Sequence, residues 1–471
     1  MTGPAASRSA GVSASAGSRF DRKLIAPMVL GSILNPVNSS MIAVALVPIG
    51  VALHAQPAAT AWLVSGLYLA TATGQPVVGK LVDRYGPRAL YLAGSALVGI
   101  AGIIGLLAPT LGVLVVSRVL LGLGTCAGFP AAMYLIRRES ERTGLDSPRG
   151  VLTTLSVSAQ TIVVIGPSLG GLLIGVAGWR AIFAVNIPLA VACIILALVR
   201  LPRPARPATR EPLDHLGIGL FAGMLTALML FLMSPSIGEL WLLAVTVACG
   251  AAFGWRELRI TEPFLDLRVF GGNAPLIATY GRALLAQTAA YAYLYGFTQW
   301  LEAGRGLNAT HAGLLLLPMS LLAIGVSTVS GRRPGFRAKL LVGATAQLVV
   351  SVLMLVLNAG SPVWLLVLIS AVCSLPQGLN SLANQNALYY QADPARIGAS
   401  AGLLRTFSYL GAMVSSAATG VFFAHGADTA GLHSLAGFLI VVAALLIIMV
   451  AADRSLSGLG RGTSPAPSAR V

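Results

Sequence analysis

Charge is what this chain has least of. Only 10% of its 471 residues are charged, where soluble domains carry about a quarter. Mean hydropathy is +0.83 and 56% of residues are hydrophobic, so an ordinary water-soluble globule is excluded. Cysteine is scarce too. The four (Cys126, Cys193, Cys249 and Cys373) all fall inside apolar runs without metal-ligand spacing, which argues for core packing rather than a disulfide framework or a metal centre. Acids number 15 and histidines 5, and every one of them falls in a loop or at the end of an apolar run. No His/Asp/Glu cluster gathers at one end of the runs, as a membrane-embedded enzyme would need, and no phosphate-binding Gly-x-x-x-x-Gly-Lys loop is present. No enzyme activity, ATP-driven pump, cofactor or metal is therefore expected. The formal charge of +16 comes from basic residues scattered among loops, which speaks for an anionic lipid surface and against nucleic acid.

What the chain does have is apolar runs of bilayer length. Fourteen can be read, near 24–53, 59–79, 88–108, 111–136, 150–177, 181–200, 215–234, 238–256, 274–301, 309–331, 338–358, 361–388, 396–423 and 431–452. The first is too long for the apolar core of a cleaved signal. The loops test the count. All but five of the 31 lysines and arginines fall in alternate connections and the two ends. The exceptions are Arg180 and Arg305 in the opposite loops and Arg118, Arg282 and Arg405 within runs. Short loops rich in Lys and Arg stay in the cytoplasm, which places both ends of the chain there. The expected fold is an all-α polytopic membrane protein with 14 transmembrane helices grouped 6 + 2 + 6. Its parts are a disordered tail over 1–23, a six-helix bundle over 24–200, a linker with two inserted helices over 201–273, a second six-helix bundle over 274–452, and a tail over 453–471. The run LPRPARPATREPLD, Leu201 to Asp214, would be extended linker.

The most charged connection is GKLVDRYGPR, Gly79 to Arg88, between two long apolar runs. Lys80, Arg84 and Arg88 mark it as cytoplasmic, and Gly79 and Gly86 suit a tight turn around Asp83. The segment resembles the loop between spans 2 and 3 of the major facilitator superfamily; Gly79, Leu81, Asp83, Arg84 and Gly86 match, Pro87 replaces the first of a basic pair and Arg88 keeps the second. The resemblance implies a latch on the inner gate. GRRPGFRAK, 331–339, looks like a copy of it that has lost the acid. GPSLGG in span 5 resembles the antiporter motif of exporters, carried by Gly166, Pro167, Gly170 and Gly171; a proline within a helix bends it and glycines admit a neighbour. WRAIFAVNIP, Trp179–Pro188, together with EPFLDLRVF and LEAGRGLNATHAGLLLLP between Glu262 and Pro318, resembles the fourteen-span drug/proton antiporters of that superfamily. The likeness runs over roughly 24–452.

Arg118, about seven residues into span 4, matches an arginine implicated in that family in proton transfer; a cation inside a span is a functional candidate in any case, with snorkelling to the interface as the alternative. Asn38 stands where the family's first span has an aspartate. It can hydrogen-bond but cannot titrate. Asn35 and Pro36 just before it suggest a broken helix facing a polar cavity. No acid or histidine falls at mid-depth, so proton coupling is implied by the resemblance alone. Glu302 and Asp83 are the nearest acids. Transport is then facilitated, coupled through the substrate's own charge, or coupled at an acid near a gate. Polar residues within the second half mark the cavity: Arg282, Gln287, Tyr291, Tyr295 and Gln299 in span 9, Gln377, Asn380, Asn384 and Gln385 in span 12, and Arg405 in span 13. Tyr291, Tyr295 and Gln299 repeat every four residues and share a face, as do Asn380 and Asn384. Interhelical bonding that glues the bundle is the alternative reading. The resulting expectation is a monomeric secondary active transporter in the plasma (inner) membrane, exporting a small organic drug or metabolite by alternating access. Protons are the implied co-partner. An uptake facilitator or uncoupled transporter of a neutral or anionic metabolite, and a non-transporting membrane sensor, remain as alternatives.

Overall fold

The computed structural model describes residues 20–143, 149–202, 214–260, 263–265, 267–331, 335–392 and 397–457. Most of the two tails, the linker arginines and the acid-free charged loop at 332–334 lie outside these ranges, as does the side chain of Asp83. All the regular secondary structure of the described residues is helical. We number the longer helices α1 Ile25–Met41, α2 Leu46–Ala52, α3 Trp62–Tyr85, α4 Pro87–Leu107, α5 Leu111–Thr125, α6 Gly128–Thr143, α7 Arg149–Ala177, α8 Asn186–Arg200, α9 His215–Met233, α10 Leu240–Arg259, α11 Ala274–Ala292, α12 Ala309–Leu315, α13 Leu317–Gly331, α14 Phe336–Met354, α15 Val363–Gln391, α16 Ile397–Phe422 and α17 Thr429–Ala452. Short polar side chains start several of them by accepting an orphan backbone N–H: Asp214 from Gly217 at 2.9 Å, Asn273 from Leu276 at 3.1 Å, Asn308 from His311 at 2.8 Å and Asp428 from Gly431 at 2.7 Å.

Among the described residues ten helical segments are long and apolar enough to cross a membrane, or eleven if Leu46–Ala52 and Pro57–Val82, bent by 118° on one another, form one span. The fourteen runs read from the sequence are thus only partly matched by length and apolarity. Two long helices, α11 and α16, fall short, and their polar residues explain it; within α7, Ile165–Ala177 is apolar but shorter than a span. α11 carries Thr279, Arg282, Gln287 and Thr288, and α16 carries Arg405, Thr406, Ser408 and Tyr409.

Packing follows chain order. Helices α1 to α8 pack on one another, chiefly α1 on α7, α3 on α5, and α4 on α5 and α8; α11 to α17 do likewise, chiefly α11 on α16, α14 on α15 and α17, and α13 on α15. Two seams join the groups. α7 lies against α12 and α13, and α3 lies against α16. The α9–α10 hairpin packs through α9 on both α3 and α16, bridging the second seam. Phe221, Phe253 and Phe264 cluster within that hairpin and the segment after it, at centroid distances of 5.3 to 6.5 Å.

Two local expectations are corrected. The charged stretch from Gly79 is not a loop: α3 runs through Tyr85, and only Gly86, at φ 86°, leaves the helix. That positive φ needs glycine. Gly79 sits on the helix with open space around it, so close approach does not require glycine there. The first span does break, but at a 3₁₀ turn over Ile42–Val44 rather than at Asn35–Pro36, which lie inside α1.

Candidate functional site

The two seams carry different chemistry. At the end of the bundle opposite Gly86, α7 meets α12 backbone to backbone. Ser168 donates its hydroxyl to the Gly313 carbonyl at 2.7 Å, and Thr310 donates to the Gly171 carbonyl at 2.8 Å. Space is the reason for the glycines. A Cβ at Gly313 would lie 2.6 Å from the Pro167 carbonyl oxygen, and one at Gly171 would run into the Ala309 carbonyl. On the other side of α7, Gly170 would place a Cβ 3.0 Å from the Met41 carbonyl, and Gly166 would meet Ser40. The GPSLGG segment therefore wedges α7 between α1 and α12.

Deeper between the groups lie four tyrosines and two arginines, of which Arg405 reaches from one group to the other. Arg118 is 1% exposed. Its Nε donates to the Leu63 carbonyl at 2.8 Å and one terminal nitrogen to the Asn38 carbonyl at 3.0 Å, while the other terminal nitrogen has no partner. This is no snorkelling side chain. The guanidinium is held by backbone dipoles, the geometry that lets a cation persist away from water. Asn38 exchanges side-chain bonds with Asn186 on α8, at 2.7 and 2.9 Å, so its amide faces a neighbouring helix rather than a cavity. The next carbonyl, that of Ser39, accepts from the Tyr295 hydroxyl at 2.9 Å, and Tyr295 lies 3.2 Å from the Tyr68 hydroxyl. Tyr291 stacks on Tyr295 at 5.6 Å and meets Tyr68 edge-on at 5.3 Å; Tyr409 lies 5.8 Å from Tyr68 and donates to Gln75 at 2.9 Å. Arg405 sits 3.7 Å over the ring of Phe129 on α6. One network thus links α1, α3, α5 and α6 to α11 and α16.

Tyr295 lies in a π-helical turn, Tyr293–Phe297, and a second covers Trp300–Gly304. Such turns are rare and frequent at functional sites. Gln299 is buried between them and Glu302, 6% exposed, is within the second. The four-residue spacing gave no hint of this geometry.

A cavity of about 60 Å³ adjoins the tyrosines, lined by Val163 of α7, by Gln287, Ala290, Tyr291 and Leu294 of α11 and its continuation, and by Gln377 and Ser381 of α15. Asn380 and Asn384 are buried beside it but are not in its wall; a Cβ on Gly343 of α14 would run into the Asn380 amide, and both asparagines keep an unpartnered carbonyl oxygen. Arg282 is not a cavity residue either. It is fully buried and pairs with Asp453 at 2.5 Å, just past the end of α17. Burial would raise the Asp453 carboxyl, but bonds from Ser455 and from the Arg282 guanidinium outweigh it and hold the group below its ordinary range.

In the charged segment, Lys80 donates to the Pro263 carbonyl at 2.7 Å and Arg88 to the Leu198 carbonyl at 3.1 Å, while Arg84 stacks over Tyr85 at 5.2 Å. Asp214 pairs with Arg256 at 2.8 Å. Its carboxyl too is held low, because the Arg256 and Gly217 bonds exceed the cost of burial. The sequence reading missed Tyr68, Tyr409, Asn186, Ser168 and Thr310. Asn186 was visible within WRAIFAVNIP; Tyr68 is one polar ring in an apolar run, and nothing local marks it.

The Major Facilitator Superfamily model matches residues 28–416. The uncharacterized MFS-type transporter YwoD of Bacillus subtilis is 33% identical over 431 residues, covering 88% of this chain and 92% of that protein. The tetracenomycin C resistance and export protein of Streptomyces glaucescens is 31% identical over 64% of this chain and 57% of its own length. A solved peptide transporter in complex with alafosfalin shares the fold, with a TM-score of 0.67 at 15% identity over 93% of this chain and 96% of its own. With this family match and its apolar helices, the protein is a multi-pass protein of the plasma membrane, and a transporter in kind rather than an enzyme. The chain belongs to the major facilitator superfamily.

Proposed function

We propose that this protein is a fourteen-span exporter of small organic molecules, with both ends of the chain in the cytoplasm. In this reading α1–α8 and α11–α17 are the two moving halves, and α9–α10 is an inserted pair resting on one seam. The observation that carries it is the polar, aromatic network around Arg118 and Tyr295, which joins the halves beside a cavity. Substrate sites near the midplane between repeats are how such transporters alternate access. In this reading the shut α7–α12 seam is the outer gate, and the state is the one closed to the outside. The segment from Gly79 to Arg88 then lies at the inner gate, where Lys80 ties α3 to the segment before α11. The antibiotic resistance and export protein among the relatives supports the outward direction.

The described wall of the cavity holds glutamines, a serine and a tyrosine but no carboxylate, with Arg405 and Arg118 nearby. That favours neutral or anionic substrates over lipophilic cations at this cavity. It also favours a second reading, an uncoupled facilitator. Everted vesicles incubated with a panel of antibiotics and organic acids test both. Accumulation driven by a proton gradient supports export. Gradient-independent equilibration supports the facilitator, preferential accumulation of ethidium-type cations sinks the cavity reading, and no movement of any solute after reconstitution sinks transport itself.

A further inference from the structure

Three arginines stand inside apolar runs, and the fold answers two of them. Arg282 pairs with Asp453, and Arg118 donates to two backbone carbonyls. Arg405, about two turns into α16, belongs to none of the described ion pairs. Its neighbours are the Phe129 ring, 3.7 Å from the guanidinium, and the Tyr409 hydroxyl one turn on. A ring face attracts a cation without neutralising it. Nor does arginine give up its proton when shielded, so the charge stands whatever surrounds it. The position therefore favours an anion.

Shape narrows the class. From Arg405 a row of rings leads through Tyr409, Tyr68 and Tyr291, at centroid distances of 5.8 and 5.3 Å, to the wall of the central cavity. Arg405, Phe129, Gln75, Tyr409 and Tyr291 are only half-buried, so a solute between the halves reaches them. A fixed guanidinium at the end of an aromatic row suits a flat ring system that carries a carboxylate. The planar fork takes both oxygens, and the phenol rings take the face or edge of the body. A small inorganic anion leaves the rings unused, and an organic cation meets a like charge. We infer that Arg405 is the specificity-determining residue of this transporter and that its substrates are flat aromatic carboxylates. The inference rests on the reading of the space between the halves as the substrate site, and it names the class that site takes. Arg405 belongs to the second half and Phe129 to the first, so the charge that reads the substrate lies where the halves must part.

The test is equilibrium binding of radiolabelled naphthoate to the purified full-length protein in maltoside detergent, against neutral naphthamide of the same shape. Wild type should hold the carboxylate at least about tenfold more tightly than the amide. Arg405→Gln should erase that preference by weakening naphthoate while naphthamide binds as before, which also shows that the variant is folded. Arg405→Lys keeps the charge without the planar fork and should keep only part of the preference. Arg180→Gln removes an equal charge from another guanidinium stacked on a ring, 4.3 Å over Trp179, and should change neither probe. Wild type that binds neither probe or both equally, or Arg405→Gln protein that still prefers the carboxylate, would overturn the assignment. Binding is read without movement of solute, so transport that fails while this preference holds counts against export alone.

Discussion

Gly313→Ala adds one methyl group, and the structure says where it goes. The new Cβ lies 2.6 Å from the Pro167 carbonyl oxygen, 3.1 Å from the Ser168 Cα and 3.2 Å from the Pro167 carbonyl carbon. All three are backbone atoms of α7, so no rotamer change relieves the contact. Optimal separations are nearer 3.5 Å, so α7 and α12 must part by roughly half an ångström or more. Overpacking of this kind costs about 1–3 kcal/mol. The Ser168 and Thr310 bonds span the same gap at 2.7 and 2.8 Å and weaken with it, at about 1 kcal/mol each. A penalty of about 2 kcal/mol or more on the shut seam shifts its population roughly thirtyfold or more. Val44 reports on it: it is fully buried and would touch a Cβ on Gly170 at 3.0 Å. With Val44→Cys as the labelling site and Cys249→Ser removing the least buried native thiol, an impermeant maleimide should react at least about tenfold faster when Gly313→Ala is added, and gradient-driven accumulation should fall. Gly325→Ala is the control, since nothing lies within 4 Å of its added methyl. Equal labelling rates in the Gly313→Ala and Gly325→Ala proteins would refute the claim that this seam is closed by backbone contact.

Three further outcomes are expected. Arg118→Lys keeps the charge but cannot hold the Leu63 and Asn38 carbonyls with one fork, so transport should drop about tenfold or more with expression intact; full transport would remove Arg118 from the mechanism. Asp453 has a depressed carboxyl, so its stabilisation is present above the unfolded value of about 3.9 and is lost as pH falls through the lower folded value. Wild type should therefore melt above Asp453→Asn at pH 7, with the gap closing in strong acid, and equal melting temperatures at pH 7 in a thermal unfolding series would contradict it. Proton flux measured during substrate transport should fall in Glu302→Gln if this buried acid carries the coupling, and robust flux unaffected by the change would remove it from that role.

The sequence made legible what depends on local composition. The apolar runs, the sorting of lysine and arginine, the wedge at Gly166–Gly171 and the isolated cation Arg118 can all be seen without coordinates. What depends on distant partners could not be. Tyr68 and Tyr295 meet across 227 residues, and Asn38 and Asn186 across 148. Arg282 looked like a cavity cation because it stands inside an apolar run; only the fold brings the end of α17 back to it. Asn380 and Asn384 share a helical face as expected, yet the cavity borders Gln377 and Ser381 instead. Periodicity gives the faces of a helix but not which neighbour each face meets. The π turns have no sequence signature, because they trade one helical bond register for another under tertiary load.

The described side-chain bonds between the halves share one character: each is made by a neutral hydroxyl. Ser168 to Gly313, Thr310 to Gly171, Ser416 to Ala61 and Tyr295 to Ser39 run to backbone carbonyls, Tyr409 donates to the Gln75 amide, and Tyr68 meets the Tyr295 hydroxyl. The ion pairs described, Glu139–Arg142, Asp214–Arg256 and Arg282–Asp453, instead lie within α6, within the α9–α10 hairpin, and within the second half. The difference suits a machine that parts at its seams. A neutral bond is worth about 1 kcal/mol net, and a hydroxyl can turn to its own helix when the partner leaves. An ion pair broken inside the bundle would strand a buried charge at several kcal/mol. Strong bonds hold each half rigid, and weak ones let the halves separate. Placing an aspartate–arginine pair across α7 and α12 should therefore stabilise the fold while slowing transport.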